Sequence, residues 1–248
     1  MVKEEIITSK DNGRIKELRK LQTKKHRKKA DQFLIEGEHL VTEAILHNQK
    51  IHNVVLLEDY DYSHLDLSDI DLILVNEEVM NSLSTLETPP GIVAAISYSA
   101  PSKSSNRVLL LDFIQDPGNL GTLIRTADAF GFSKVILSPD TVDAYSGKVL
   151  RSAQGSTFHI EMDVMDTAEA IESFDGMVLG TSLKEAVPFE NIAVNDTPLM
   201  LVLGNEGRGL EEELLDKADQ RVKIEMPGDS ESLNVAISGG ILMHYFKA

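Results

Sequence analysis

Apolar residues along the chain alternate between a helical and a strand rhythm, and the switches between the two mark out the elements. Ile15, Leu18 and Leu21 recur at helical spacing, which predicts an amphipathic helix from Gly13 to about Gln22. QFLIEG (32–37) reads as a strand, GEHLVTEAILHN (37–48) as a helix with Leu40, Ala44 and Ile45 inward, and IHNVVLLED (51–59) as a second strand. DLILVN (71–76) is a third strand, EEVMNSL (77–83) a short helix, and GIVAAISY (91–98) a fourth strand after the Pro89-Pro90-Gly91 break. This alternation predicts a small α/β layer domain over residues 30–100. The short, polar, proline-led stretch PSKSSN (101–106) is the best linker candidate.

From Arg107 onward the strands become more uniformly apolar: VLLLDFI (108–114), KVILS (134–138), GMVLGTS (176–182), LMLVLG (199–204) and RVKIE (221–225). Continuous apolar strands separated by helices predict a parallel sheet covered on both faces, so the fold class is α/β. Ligands of such sheets gather at the carboxyl ends of the strands. Three stretches there share one architecture, running from an apolar strand through a Gly-rich polar turn into a helix: VLLLDFIQDPGNLGTLIRTADAFG (108–131), LMLVLGNEGRGL (199–210) and IEMPGDSESLNVAISGGI (224–241). In the third, a strand from Arg221 to Met226 stops at Pro227-Gly228 and enters a helix through Ser230 or Ser232, both competent N-caps. That helix is expected to bury Val235, Ile237, Ile241 and Leu242.

With 248 residues and 42% apolar content, the chain has room for one large domain or two modest ones. No apolar run approaches the ~18 residues of a membrane span, and MVKEEIITSKDNG lacks the apolar core of a signal peptide, so the expected location is the cytoplasm. Zero cysteines exclude a disulfide framework, a thiolate nucleophile and a Cys-based zinc site, and the seven histidines show no metal-binding spacing; no metal is expected. The net charge of −16 argues against a polyanion partner until the charges are located. Residues 10–29 hold ten basic and two acidic residues, a local balance of +8 that leaves −24 for the rest. Such asymmetry predicts a basic N-terminal arm over residues 1–29 for a polyanion, with Arg14, Lys24, Lys25, Arg27 and Lys28 as contacts.

The three loops carry the candidate chemistry. After Asp116-Pro117-Gly118-Asn119-Leu120-Gly121 comes a helix with Leu123, Ala127 and Phe130 as its buried stripe and Gly131 as its stop. Arg125, one to two turns in, can project a guanidinium toward a phosphate near the loop. Gly204-Asn205-Glu206-Gly207-Arg208-Gly209 sets one carboxylate among three glycines, so backbone can approach a ligand while Glu206 pairs with a cation or a sugar hydroxyl. The third loop exposes Ser232 and Asn234 beside a helix N-terminus. No dinucleotide fingerprint or P-loop is present: the G-x-G-x-x-G pattern fails at Glu212 and GK[ST] is missing.

Taken together, NLGTLIRTADAFGF, LVLGNEGRGL and IEMPGDSESLNVAISGGIL resemble, in order and spacing, the three motifs of the SpoU/TrmH group of RNA ribose methyltransferases in the SPOUT superfamily. The resemblance covers residues 107–248, and the TLETPPGIVA junction (85–94) is similar to members with a ribosomal-protein-like α/β substrate-binding domain upstream. It implies a methyltransferase domain over 107–248 with a C-terminal trefoil knot, an S-adenosylmethionine pocket in the knot loops, and a homodimer whose sites borrow from the partner protomer. Cofactor contacts are implied for Gly204, Ile224 and Leu233, with Gly180, Thr181 and Ser182 lining the adjacent loop. The implied catalytic set is Asn119, Arg125, Glu206, Ser232 and Asn234. One departure is that Glu225 follows Ile224 where the family commonly has proline, which here appears at Pro227.

The implied reaction is in-line transfer of a sulfonium methyl group to a ribose 2′-hydroxyl. A guanidinium with pKa above ~12 is a poor base. Arg125 is therefore expected to bind the adjoining phosphate and lower the hydroxyl pKa, with Glu206 holding Arg125 and with Ser232 and Asn234 orienting the ribose and the turn. Ribosomal RNA is favoured as substrate over transfer RNA by the ribosomal-protein-like upstream domain. The alternatives are a tRNA 2′-O-methyltransferase and a non-catalytic RNA-binding protein of the same fold.

Overall fold

A computed structural model describes residues 6–98, 106–193 and 195–247. The chain divides into two units: residues up to Tyr98 together with Tyr145–Phe158, and residues from Asn106 to Ala144 together with those from His159 onward. The expected linker falls on residues 101–106, of which 101–105 lie outside the described residues.

The first unit begins with α1 (Gly13–Lys20), capped by the Asn12 side chain, and α2 (Lys24–Ala30). There follow β1 (Gln32–Glu36), α3 (Glu38–Leu46), β2 (Ile51–Leu57), β3 (Asp71–Val75), α4 (Glu77–Leu83) and β4 (Ile92–Ser97). The strands form a sheet in the order β1-β4-β2-β3, with β4 antiparallel to both neighbours and β2 parallel to β3. Strand alternation sorts side chains to two faces. Phe33, Ile35, Val54, Leu56, Ala94 and Ile96 pack in one cluster with Leu40 and Val41 of α3. Leu34, Val55, Val93 and Ala95 pack in the other with Val79 and Met80 of α4 and with Ile15, Leu18 and Leu21. The basic segment is thus not a detached arm, because its apolar stripe belongs to this core.

The second unit continues with β5 (Arg107–Leu111), α5 (Pro117–Ala129) and β6 (Lys134–Leu137). The chain then returns to the first unit for α6 (Gly147–Ala153) and a 3₁₀ turn at Ser156–Phe158, where Leu150 and Phe158 join the α3-side cluster. The upstream unit therefore owns a segment that the sequence places inside the 107–248 region. Glu36, buried in β1, accepts hydrogen bonds from the Ser84 hydroxyl (2.6 Å) and from the Thr85 amide and hydroxyl (3.1 and 2.8 Å), with Arg151 of α6 3.8 Å away.

Back in the second unit come β7 (Glu161–Val164), α7 (Thr167–Glu172), β8 (Met177–Thr181), β9 (Val187–Pro188), β10 (Leu199–Leu203), α8 (Glu212–Lys217), β11 (Gln220–Lys223) and α9 (Val235–Tyr245). The sheet order is β7-β6-β5-β10-β8-β11-β9, and every pairing is parallel. The expected continuous strands show as fully buried β5 and β10 at its centre. Two strands were not expected: β7, EMDV, is an edge strand too polar to signal itself, and β9 has two residues. One face carries α7 and α8 over Val108, Leu110, Met200 and Val202. On the other, α9 packs against α5 and β10 so closely that a Cβ at Gly239 would lie 2.4 Å from Leu123 Cδ2 and 2.8 Å from Leu203 Cδ1.

Arg107, at the start of β5, is 5% exposed. Its guanidinium donates to the Phe246 carbonyl beyond α9 (2.8 Å) and to those of Thr197 (3.0 Å) and Asn195 (2.9 Å) before β10. A buried charge held by carbonyls thus ties the last helix to the sheet centre. Replacing it by Met keeps the bulk and strands those acceptors, so Arg107→Met is expected to lower unfolding free energy by about 2 kcal/mol in urea titration without changing the m-value.

Candidate active site

The three Gly-rich loops all leave carboxyl ends of the parallel strands, and each is shaped by its own sequence. In the first, the Asp116 side chain caps α5 by accepting from the Asn119 amide (2.8 Å), and Pro117 occupies the first helical turn. In the second, the Asn205 side chain accepts from the amides of Gly207 (2.9 Å) and Arg208 (3.2 Å), folding the turn onto itself. Gly204 is required there: a Cβ would sit 2.4 Å from the Gly209 carbonyl carbon and 2.5 Å from the Leu210 nitrogen. In the third, residues 224–233 lead from β11 to α9, whose N-cap is Asn234, accepting from the Ala236 amide at 2.9 Å. The cap is neither Ser230 nor Ser232, and the strand ends at Lys223 rather than Met226.

Glu206 joins the first two loops. Its carboxylate accepts from the backbone amides of Gln115 (3.3 Å) and Asp116 (3.1 Å) and from the side-chain amides of Asn119 (3.2 Å) and Asn205 (3.4 Å). Asn119 passes the connection on, its carbonyl oxygen accepting from the Asn234 side-chain amide at 3.0 Å. Burial pushes the Glu206 carboxyl up, but hydrogen bonds from backbone amides and from Asn119 outweigh it and hold the group below the usual carboxylate range. Glu206, Asn119 and Asn234, expected as one catalytic group, are therefore brought together.

Beside them lies a cavity of about 400 Å³. Of the expected cofactor residues, Thr181, Ser182, Gly204, Ile224 and Leu233 line it, as do Glu206 and Ser232. Leu203, Met226, Val235 and Leu242 add apolar wall. Asn205 is a residue missed in the sequence, although Asn two before Gly is the signature of the turn it makes. The size and the mixture of apolar wall with loop backbone fit a cofactor such as S-adenosylmethionine.

Five further expectations are corrected. Gly180 is buried and is not among the residues that line the cavity, unlike its neighbour Thr181; a Cβ there would meet Leu215 (3.1 Å) and Ala218 (3.3 Å). Glu206 does not hold Arg125. That arginine lies eight residues after Pro117, roughly 12 Å along α5 at 1.5 Å per residue, is exposed, and makes no hydrogen bond or ion pair among the described residues. Ile237 and Ile241 are exposed rather than buried, unlike Val235 and Leu242, and Phe130 is half-buried against His244. Arg27 is 4% exposed and donates to the Leu21 carbonyl at 3.0 Å, so it secures the α1–α2 turn and is not an RNA contact. Lys24, Lys25 and Lys28 are exposed on the same helix, and Arg14, also exposed, pairs with Asp71.

A parallel α/β sheet with a pocket lined by the segments that follow β8, β10 and β11 at the strand ends defines a ligand-binding enzyme fold. Residues 106–244 match the SpoU rRNA Methylase family, and residues 12–94 match the MRM3-like substrate binding domain. The chain belongs to the SpoU rRNA methylase family. It is 40% identical to the 23S rRNA (guanosine(2553)-2′-O)-methyltransferase RlmP of Bacillus subtilis, over 97% of this chain and 98% of that protein. Among solved structures, an AdoMet-bound rRNA methyltransferase from Sinorhizobium meliloti superposes with a TM-score of 0.83 at 32% identity, covering 96% of this chain and 95% of that one. An RNA methyltransferase of the TrmH family from Porphyromonas gingivalis, described as putative, gives a TM-score of 0.84 at 30% identity over 96% and 98% of the two chains.

The depressed Glu206 carboxyl sets a pH dependence. A group whose folded pKa is lowered stabilises the fold above its unfolded pKa and loses that contribution as pH falls through the folded value. Glu206→Gln places an amide donor among backbone donors, so the variant should be less stable than wild type at neutral pH. The gap in melting temperature should close as pH falls below the ordinary carboxylate range, read by thermal scans at stepped pH.

Proposed function

We propose that the protein transfers a methyl group from S-adenosylmethionine to a ribose 2′-hydroxyl of ribosomal RNA, and that the acceptor is the guanosine corresponding to the one named for the Bacillus subtilis relative. The observation that carries this reading is the loop cluster itself: Glu206, Asn119 and Asn234 are hydrogen-bonded in series at the rim of a pocket lined by Gly204, Ile224 and Leu233. The near full-length identity to RlmP supports the substrate.

When bound, S-adenosylmethionine supplies an electrophilic sulfonium methyl group. Gly204 lets the second loop close tightly, so backbone polar groups can face the cofactor where a side chain would obstruct them. Ser232, exposed at the pocket rim, and Asn234, fixed by its cap, orient the ribose. Arg125 binds the phosphate beside the acceptor, a task suited to its planar fork and not to a base.

A homodimer accounts for the position of Arg125. It lies two turns from the loops of its own protomer, while α9 exposes Ile237 and Ile241, one turn apart on one face. An apolar stripe of this kind suits burial against a second copy, which would carry each Arg125 to the partner site. The threading of α9 through the preceding loops into a trefoil knot rests on the family membership, since strand order alone does not decide whether a chain is threaded.

Exposed Lys24, Lys25 and Lys28 on α2 form the RNA-tracking face. Changing all three to Gln should weaken RNA binding and reduce the slope of log affinity against log salt by about 2, since each phosphate that is no longer neutralised removes roughly 0.7–0.9. Cofactor affinity should stay within twofold by calorimetry, and equal loss of both would make α2 a structural element only.

The reaction is tested by incubating the protein and methyl-labelled S-adenosylmethionine with total RNA from cells lacking the gene, then digesting to nucleosides. Labelled 2′-O-methylguanosine mapping to large-subunit ribosomal RNA is the expected result. Label in a base would overturn the acceptor, and label confined to transfer RNA would overturn the substrate.

A further inference from the structure

Phe113, between the end of β5 and the Glu206-bound amides, has φ of +56°, a left-handed conformation that a bulky side chain rarely adopts. The conformation is enforced from both sides. Its amide donates to the Ser138 hydroxyl at 2.8 Å, and its carbonyl accepts from the Asn205 side-chain amide at 3.0 Å. Glycine would sit there without strain, yet the position carries an aromatic ring that the structure leaves only half-buried. Over that ring lies the Arg208 guanidinium, its central carbon 4.5 Å from the ring centroid.

Arg208 is itself held at both ends. Its amide is fixed by the Asn205 turn (3.2 Å), and its guanidinium lies 3.3 Å from Glu211, while its side chain remains 53% exposed. It also lines the cavity assigned to the cofactor. A planar cation backed by an aromatic ring, open on its outer side and bordering the pocket, is the arrangement on which an unstacked nucleobase lies flat.

We propose that Arg208, backed by Phe113, is the stacking platform for the base of the nucleotide whose ribose is methylated. This inference rests on the 2′-O-methyltransferase reading and adds to it the group that fixes the acceptor nucleotide. Methylating a 2′-hydroxyl in structured RNA requires the ribose to approach the pocket rim, and seating its base on a rigid plane beside that rim fixes the approach. Arg208 touches the substrate; Phe113 acts through Arg208 and is a positioning residue. The Glu211 carboxylate offsets part of the Arg208 charge, which favours a base face over a phosphate as the group received.

The test uses single-turnover methyl transfer into a short RNA containing the acceptor guanosine, and into the same RNA with an abasic ribose that keeps its 2′-hydroxyl. Wild-type protein, Phe113→Gly and Arg208→Lys are compared. Glycine suits a φ of +56°, so Phe113→Gly removes the ring without threatening the fold; Arg208→Lys keeps the charge and removes the plane. Wild type should be slower by about tenfold or more on the abasic RNA, in line with the loss of one base–side-chain stack. The two variants should be slower by a similar factor on intact RNA and lose clearly less on abasic RNA, and Phe113→Gly, whose ring does not line the cavity, should bind S-adenosylmethionine within twofold of wild type. Equal wild-type rates on both RNAs, or variants that lose the same factor on both, would overturn the platform alone. Failure of wild type to label intact RNA would overturn the methyltransferase reading and the platform with it.

Discussion

One carboxylate holds the site together. Glu206 accepts from two backbone amides of the loop before α5 and from the Asn119 amide, and Asn119 in turn accepts from Asn234 at the start of α9. Segments near residues 116, 206 and 234 are thereby joined through three side chains. Loops are costly to order because each fixed residue loses about 1–2 kcal/mol of backbone entropy, so a site made of three of them needs such a junction. Ionised Glu206 suits the task, since only an acceptor can face several amide donors at once.

The junction depends on how the sheet is built. Parallel pairing delivers β5, β10 and β11 to one edge, and the insertion of β10 between β5 and β8 sets the first two loops side by side. The third loop arrives with α9, whose place is fixed from behind by two features distant from the pocket. Gly239 admits α9 close against Leu123 and Leu203, and Arg107 grips the carbonyl of Phe246 just past its end. The stability of the last helix and the shape of the pocket are therefore linked, although Arg107 lies at the opposite end of β5 from the active site.

Much of this was legible in the sequence because it is local. Strand positions followed from apolar runs, and the glycines of the three loops announced turns whose family resemblance named the pocket, although the cap of the third is Asn234 and not one of the two serines before it. The misreadings concern partners that only three dimensions supply. Glu206 reads equally well as a mate for a cation or as an acceptor for backbone amides; proximity along the fold to Gln115 and Asp116 selected the second. Arg125 falls outside its reach because helical rise carries it two turns from the loop. Arg27 sits among lysines and reads as one more surface charge, but the turn between α1 and α2 directs it inward to the Leu21 carbonyl. Apolar spacing marked Ile237 and Ile241 as core, and periodicity alone cannot tell a face buried in its own chain from one left exposed. Phe113 gave no signal at all, since a left-handed φ is set by Ser138 and Asn205, distant in sequence.

The central claim is that Glu206, Asn119 and Asn234 act as one unit that shapes the cofactor pocket. The most direct measurement is a double-mutant cycle between Glu206→Ala and Asn234→Ser, read as S-adenosylmethionine affinity by titration calorimetry. Serine keeps an N-cap for α9 and is too short to reach Asn119. The two residues do not pair with each other, so coupling must run through Asn119. The account predicts a coupling of about 1 kcal/mol or more, the scale seen within one hydrogen-bond network. Additive losses would contradict it, showing that the loops are positioned independently and that the chain of hydrogen bonds is incidental to the pocket.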